Sequence, residues 1–585
     1  LLQLPIDPHP ERSPNENSQI RPYIFLAVGL VACLLPFSGK AFNIDDTLFV
    51  YVARQITNHP LDPYGFKVNW FLDAVPMAYE TKNPPLASYY IAAAASFLGW
   101  SERALHFAFL LPALGVVLGT YRLARRFTKS PLLAAVATLL TPAFLVSANS
   151  VMCDITMMAL WLWAVIFWIE GLEPRKPGYL AVSALLIALC ALTKFFGIAL
   201  IPLLAAYSFA RQRRFGSWAW YLLLPILVLT EFQHWTKAMY GLRMITGAAH
   251  FSTGMRNSRQ ASTLAKLLVD LSFVGGCALP ALTLAPVLWP RRKIFATCLA
   301  SAIGGALIAG GRLGLGKMLW PSDFYPNWSL VGIQLTLFIA AGFSVLALAA
   351  SDLRKQQDAD SLLLILWVFG TFIFTGFLNW TINARSVLPL IPAVGILLAR
   401  RLNALRASSM RWRPAWVAVP LAVAGAVSLW LTWADTALAN SARTAANMIE
   451  QKTSNQPGAV WFMGHWGFQY YMESLGARAV VVADSPHCPG DFLATAGNRE
   501  LFEVRPEFVT SRSLIQIPIN LGITTDQREL GTGFYSSDLG PLPFAFGPVP
   551  PERYELIRLG PRRVSAALQS DSPCQYRNIA DQFER

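Results

Sequence analysis

Apolar residues in this chain gather in long runs instead of alternating with polar ones. The runs fall at about 23–38, 104–121, 131–149, 154–171, 178–193, 195–210, 217–233, 263–289, 294–311, 329–350, 361–379, 386–399 and 414–434. Most approach the ~20 residues that cross a ~30 Å hydrocarbon core, with 178–193, 195–210 and 386–399 on the short side. This pattern predicts a polytopic α-helical membrane protein of about 13 transmembrane helices. About twenty polar residues precede the first run and no A-x-A-like site follows it, so no cleavable signal peptide is expected. After residue 434 the pattern changes. Pro, Gly and charge become denser, and short β-like runs appear, such as Ala459–Met463 and Ala477–Val482. The expected organisation is therefore a tail at 1–22, a membrane domain at 23–434 and a small α/β domain at 435–585, outside the membrane.

Composition agrees with the runs. Of 585 residues, 54% are hydrophobic and 14% charged, against about 25% charged in a typical soluble protein. The chain is too apolar for a disordered protein, and its seven cysteines are too few for a disulfide scaffold. The formal charge of +14 need not imply nucleic acid, because cytoplasmic loops of membrane proteins collect Lys and Arg. The basic clusters are Arg122/Arg125/Arg126/Lys129, Arg175/Lys176, Arg211/Arg213/Arg214, Arg291/Arg292/Lys293, Arg354/Lys355 and Arg400/Arg401/Arg406/Arg411/Arg413. With the N-terminus in the cytoplasm and thirteen crossings, every cluster falls on the cytoplasmic side. One apolar stretch, 84–99, must then not cross. It is short, Ala-rich and carries tyrosines, and it is read as a helix lying in the outer interface.

The opposite face receives the first loop 39–103, the corners at 150–154 and Lys194, the loops 234–262, 312–328 and 380–385, and the trailing domain. Only 34 Asp and Glu occur in the chain, so acids bordering the membrane are informative. Asp45 and Asp46 adjoin in Asn43-Ile44-Asp45-Asp46-Thr47. Neighbouring carboxylates repel, which raises one pKa and suits a proton acceptor; a solvated acid pair or a helix N-cap is the plainer alternative. Glu80 and Lys82 stand before Pro84-Pro85, which opens the interfacial helix. Lys82 there suits a lipid phosphate, or a snorkelling anchor. Asp154 stands at the outer end of a run, as a functional acid or a favourable helix-start charge. Lys194 lies between two runs, and Asn383 and Arg385 close another. The loop 234–262 carries His234, Lys237, Arg243, His250, Arg256 and Arg259 and suits an anion. These groups converge on one face at headgroup depth, whereas a transport pathway places them near the bilayer centre. Cys488 and Cys574 either pair in an oxidising compartment or remain two thiols. No internal repeat, Gly-rich phosphate loop or dinucleotide fingerprint is visible.

The order of these pieces resembles GT-C glycosyltransferases of the protein O-mannosyltransferase and lipid A aminoarabinose transferase type, over about residues 22–434. The shared pattern is an acid pair after the first span, a Lys/Pro-Pro-Leu interfacial helix, an Asp at a span's outer end, a Leu-Thr-Lys turn at Lys194, and Arg385 before Leu388-Pro389-Leu390-Ile391-Pro392. The resemblance implies a GT-C-like membrane fold in a bacterial inner membrane with the site on the periplasmic side. It implies transfer of a sugar from a polyprenyl-phosphate donor to a lipid, glycan or protein acceptor by an inverting single displacement. It makes Asp45 the catalytic carboxylate with Asp46 beside it, Asp154 the second acid, and Lys82, Arg256, Arg385 and Lys194 the donor-phosphate contacts. It further implies a divalent ion, Zn, on Glu80, Asp154 and His250. The sequence departs from the pattern at Asn83, which separates Lys82 from the prolines, at Glu80, displaced by one residue, and at His250, which lacks a flanking Glu. A transporter or flippase of lipid-linked sugars is the alternative from another class. A membrane scaffold would leave the outer ions unexplained, and an O-antigen polymerase or ligase usually places its site in a late loop. In the trailing domain, Gly464-His465-Trp466-Gly467-Phe468-Gln469-Tyr470-Tyr471 reads as a strand end entering an aromatic helix.

Overall fold

The computed structural model describes residues 16–71, 73–174, 176–259, 261–313, 327–408, 413–481, 488–496, 503–504, 508–560 and 583–584. The predictions concerning residues 1–15, Arg175, Arg411 and Cys574, and most of the loop 312–328, lie outside these. The architecture is helical, with a strand-containing region near the C-terminus.

Nine of the described helices are long and apolar enough to cross a membrane, and ten if the bent pair Pro131–Leu139 and Pro142–Ala148 forms one span. That pair is bent by 63° where Pro142, which has no N–H to donate, starts the second helix with Thr141 as its cap. Three of the thirteen runs fall outside this count. Pro177–Thr193 has 17 residues. Leu223–Tyr240 ends at Gly241, whose left-handed backbone at φ 69 terminates it. The run 263–289 is divided into Thr263–Cys277, Leu279–Thr283 and Ala285–Leu288, the last two opening on Pro280 and Pro286.

Contacts at the helix ends show that these three runs also reach from one end of the bundle to the other. At one end Arg122 pairs with Glu170, so Glu102–Phe127 and Cys153–Gly171 run in the same direction and the bent pair between them makes one crossing. Arg400–Asp352 and Arg211–Asp360 lie at that same end, as does Trp289, which stacks with Arg401. At the other end Lys194 follows Pro177–Thr193 and meets Asp154, and Tyr240 donates to Asp62 of the first loop. We call these the arginine face and the acid face. Within the bundle, Thr263–Cys277 and Trp328–Gln356 approach closely through glycines: a Cβ on Gly275 would stand 1.9 Å from the Phe338 carbonyl oxygen.

On the acid face the first loop carries Asp46–Asn58 and Leu86–Leu98, which pack together. The stretch expected to lie in the interface forms the helix Leu86–Leu98, with Phe97 and Leu98 exposed. Ala415–Thr453 is one continuous helix of 39 residues that runs across the boundary expected at 434/435 into the trailing part. There its residues Ala439–Ile449 support a five-stranded mixed sheet through Phe462, Phe468, Ile515 and Tyr554. The strand order is Arg478–Ala479, Val460–Met463, Phe492–Thr495, Glu552–Leu559, Val509–Ile517, with the first three parallel and the last two antiparallel to their neighbours. Trp466–Ser474 follows the Val460–Met463 strand as the sequence suggests. A second part of the trailing region, from Ile519 to Val549, leaves the sheet and joins the core of the helical bundle through Ile523, Leu530, Phe534, Leu542 and Phe544. Cys488 is disulfide-bonded; the other five described cysteines are free.

Candidate active site

The two adjacent acids after the first span have different fates. Ile44, before them, has φ 50, a left-handed conformation costly for a β-branched residue. With the chain turned there, Asp46 faces inward. One of its oxygens accepts from the Asn43 N–H at 3.0 Å and the other from the Val151 N–H at 2.8 Å. Burial pushes its carboxyl up to about 7, against the opposing pull of Lys40. Both of its oxygens are engaged with backbone, and it ties the first loop to the corner before Asp154. Asp45 is at the N-cap of Asp46–Asn58 but makes no side-chain cap bond. It accepts instead from Arg385 Nη2 at 2.8 Å.

Arg385 begins a row of alternating charge. It is the second residue of Ala384–Val387, a turn fixed by Asn383, whose side chain accepts from the Ser386 N–H at 2.8 Å. Its Nη1 stands 3.8 Å from Asp154, in the first turn of Cys153–Gly171, and Lys194 Nζ reaches Asp154 at 2.5 Å. The order is Asp45, Arg385, Asp154, Lys194. Asp154 is 2% exposed and Arg385 13%, while Asp45 is 27% and Lys194 18%. The row is therefore open at its two ends and closed in the middle. Among the described residues, Arg385 Nε donates no hydrogen bond and Asp154 Oδ2 accepts none, although both atoms are buried. Buried polar atoms without hydrogen-bond partners are uncommon, and these two belong to the adjoining residues at the centre of the row.

Beside the row, Glu80 and Lys82 are half-buried. Burial raises the Glu80 carboxyl, with Lys82 opposing and the Asp45 charge reinforcing the shift. Burial lowers the Lys82 ammonium, with Glu80 opposing. Lys82 Nζ donates to the Tyr79 carbonyl and sits 5.0 Å from the centre of the Phe251 ring. Asn83, the residue that departs from the expected pattern, is an anchor. Its carbonyl accepts from Tyr64, and its side chain meets Cys153 Sγ at 3.8 Å, directly before Asp154.

Arg256 is on the helix Met244–Arg259 and donates to the carbonyls of Phe377 and Ser252. The bond to Phe377 docks its helix against the segment before Arg385. His250 is exposed on the same helix. Among the described residues no group of three or more His, Cys, Asp or Glu is placed to hold a metal ion. Of the residues expected to hold zinc, Asp154 is paired with Lys194 and Arg385, Glu80 is half-buried beside Lys82, and His250 is exposed on its helix.

Sequence reasoning missed a second buried charge cluster behind the row. Lys40 and Asp435 are both fully buried and pair at 2.6 Å. Lys40 also donates to the Asn149 carbonyl at 2.9 Å, and Asp435 accepts from Thr525 at 2.8 Å and from Tyr535 at 3.0 Å. The available signal was a lone charge at the end of the first run and another at the end of the last.

Residues 82–235 match the family model described as dolichyl-phosphate-mannose-protein mannosyltransferase. This segment holds Lys82, Asp154 and Lys194. Over this segment the chain is similar to that mannosyltransferase family. The structure search finds ArnT from Cupriavidus metallidurans bound to undecaprenyl phosphate, 14% identical with a TM-score of 0.40, covering 84% of this chain and 96% of that one. It finds AglB, an archaeal oligosaccharyltransferase from Archaeoglobus fulgidus, in complex with an inhibitory peptide and a dolichol-phosphate, 14% identical with a TM-score of 0.44, covering 82% of this chain and 69% of that one. It also finds the arabinofuranosyltransferase AftD from Mycobacteria, 15% identical with a TM-score of 0.39, covering 93% of this chain and 40% of that one. No curated protein matches by sequence.

Proposed function

We propose that the chain is a membrane glycosyltransferase that moves a sugar from a polyprenyl-phosphate donor to an acceptor at the acid face. The observation that carries the reading is a partly exposed carboxylate, Asp45, at the open end of a buried charge row with an unpartnered Arg385 donor, beside a segment matching a lipid-phosphate-dependent mannosyltransferase family. In the reaction the acceptor hydroxyl oxygen bonds to the anomeric carbon, and its proton passes to the Asp45 carboxylate. The bond from that carbon to the phosphate oxygen breaks, and the phosphate leaves with the electron pair. Lys82, Lys194 and the free Nε–H of Arg385 supply positive charge and donors as negative charge grows on the leaving group. A single displacement inverts the anomeric carbon. The low-dielectric middle of the row strengthens these interactions and excludes water.

The setting is a bacterial inner (plasma) membrane, with the acid face and trailing domain on the periplasmic side. The positive-inside rule supports this sidedness, since Arg122, Arg126, Lys176, Arg211 and Arg400 all lie at the opposite end. The test is to incubate the purified chain in proteoliposomes with labelled polyprenyl-phosphate sugars and a membrane lipid extract. Mass spectrometry should find a new glycosidic product with inverted anomeric configuration. Movement of the labelled lipid across the bilayer with no new glycosidic bond would overturn the reading in favour of a flippase.

A further inference from the structure

Arg385 organises the row, yet it is held from a part of the chain well outside the matched segment. The Tyr535 ring lies 5.7 Å from the Arg385 guanidinium carbon. Its hydroxyl donates to Asp435, which is fixed in turn by Lys40 and Thr525. The backbone around Tyr535 clamps the turn that carries Arg385. The Ala384 N–H donates to the Phe534 carbonyl at 2.9 Å, the Ser537 N–H to the Ile382 carbonyl at 2.8 Å, and the Thr381 hydroxyl meets Ser536 and Ser537 at 3.0 and 3.2 Å. Tyr535 is 5% exposed and Phe534 is fully buried, so this piece of the trailing region lies inside the bundle and does not rest on its surface.

We infer that the trailing region completes the catalytic centre: Tyr535, locked by the buried Lys40–Asp435 pair, is a positioning residue that sets the Arg385 guanidinium against Asp45. The inference rests on the proposed function for the role of Asp45 and goes beyond it by assigning part of the site to residues 532–537. The ring supplies a flat face against the guanidinium, and the hydroxyl fixes the ring's rotation. Arg385 can then span Asp45 and Asp154 while one donor stays free, an arrangement that an untethered guanidinium would not hold.

The test is a double-mutant cycle on the full chain, since contacting residues couple and separate ones add. Tyr535→Leu and Arg385→Lys are made singly and together, with folding checked by thermal unfolding in detergent. Tyr535→Leu alone should lower kcat by about tenfold or more with the donor KM changed by less than about threefold. In the Arg385→Lys background the same change should cost less than about threefold, because the group it positions is already altered. Tyr535→Phe, which keeps the ring, should recover most of the loss. A folded Tyr535→Leu protein with wild-type kcat, or equal losses in both backgrounds, would overturn the inference. If Tyr535→Leu does not fold, Tyr535→Gln, which lacks the ring but keeps a donor toward Asp435, carries the same cycle and the same criterion of non-additivity. If the wild type transfers no sugar, the proposed function has failed. The coupling of positions 535 and 385 is then read from the four melting temperatures alone, where additive shifts would overturn it.

Discussion

The two ends of this helical bundle both carry ion pairs, but in different proportions of exposed and buried. On the arginine face Arg122–Glu170, Arg126–Glu173 and Lys176–Glu173 join side chains that are a quarter to nearly a half exposed, with Arg400–Asp352, 12% exposed on each side, as the more buried exception. On the acid face Lys40–Asp435 is fully buried, and Asp45, Arg385, Asp154 and Lys194 form a row closed at its centre. Exposed pairs contribute little because water already solvates both partners. Buried pairs cost several kcal/mol of desolvation per ion and survive only where geometry and hydrogen bonds compensate. One end therefore uses charge to set orientation, and the other holds charge out of water where it can act on a substrate.

The contrast breaks most sharply at Asp435. Asp435→Leu leaves Lys40 buried without its counter-charge and should cost about 3–5 kcal/mol in thermal unfolding, whereas Lys40→Met with Asp435→Leu should recover most of that. A double variant no more stable than the single would show that the pair's value lies elsewhere. Arg385→Lys keeps the charge but loses the fork that reaches two carboxylates. It should reduce sugar transfer by about a hundredfold, as removal of a preorganised donor does, with little change in melting temperature. Asp46 sharpens the comparison through pH. Its folded-state pKa, about 7, lies above the ordinary 3.8, so the folded protein binds this proton more tightly than the unfolded chain does. The associated stability is present below about pH 4 and is lost as pH rises through about 7. Wild type should lose stability relative to Asp46→Asn over that interval; parallel pH profiles for the two would contradict the burial argument. The smallest effect belongs to the other end: Arg122→Ala should shift stability by less than about 1 kcal/mol and leave transfer unchanged.

Much of this contrast was visible in the sequence, though unevenly. Apolar runs and basic clusters are local features, so the helices and the segregation of charge could be read directly. The count of unbroken long helices fell short of thirteen because Pro142, Pro280 and Pro286 divide two runs that hydropathy treats as continuous, while Pro177–Thr193 has 17 residues and Leu223–Tyr240 also falls outside the count. Asp45 and Asp46 looked alike in sequence. Their fates diverge at Ile44, whose left-handed backbone no local propensity announces. The partners were not legible either: Arg385 and Asp45 are 340 positions apart, and Lys40 and Asp435 are 395 apart. Such pairs are set by helix packing, which a single sequence does not display. The pairing of Asp154 with Lys194 and Arg385 was hidden for the same reason. The trailing region looked like a separate domain because its composition changes at 435, yet Phe534 and Tyr535 belong to the core of the bundle.

The most direct test of the account is Asp45→Asn, assayed for transfer from a labelled polyprenyl-phosphate sugar alongside its melting temperature. Asn keeps the size of Asp45 and can still accept from Arg385, but it cannot take the acceptor's proton. The account predicts a loss of at least about a hundredfold in kcat from a protein that folds and inserts as the wild type does. Wild-type turnover by folded Asp45→Asn would contradict it.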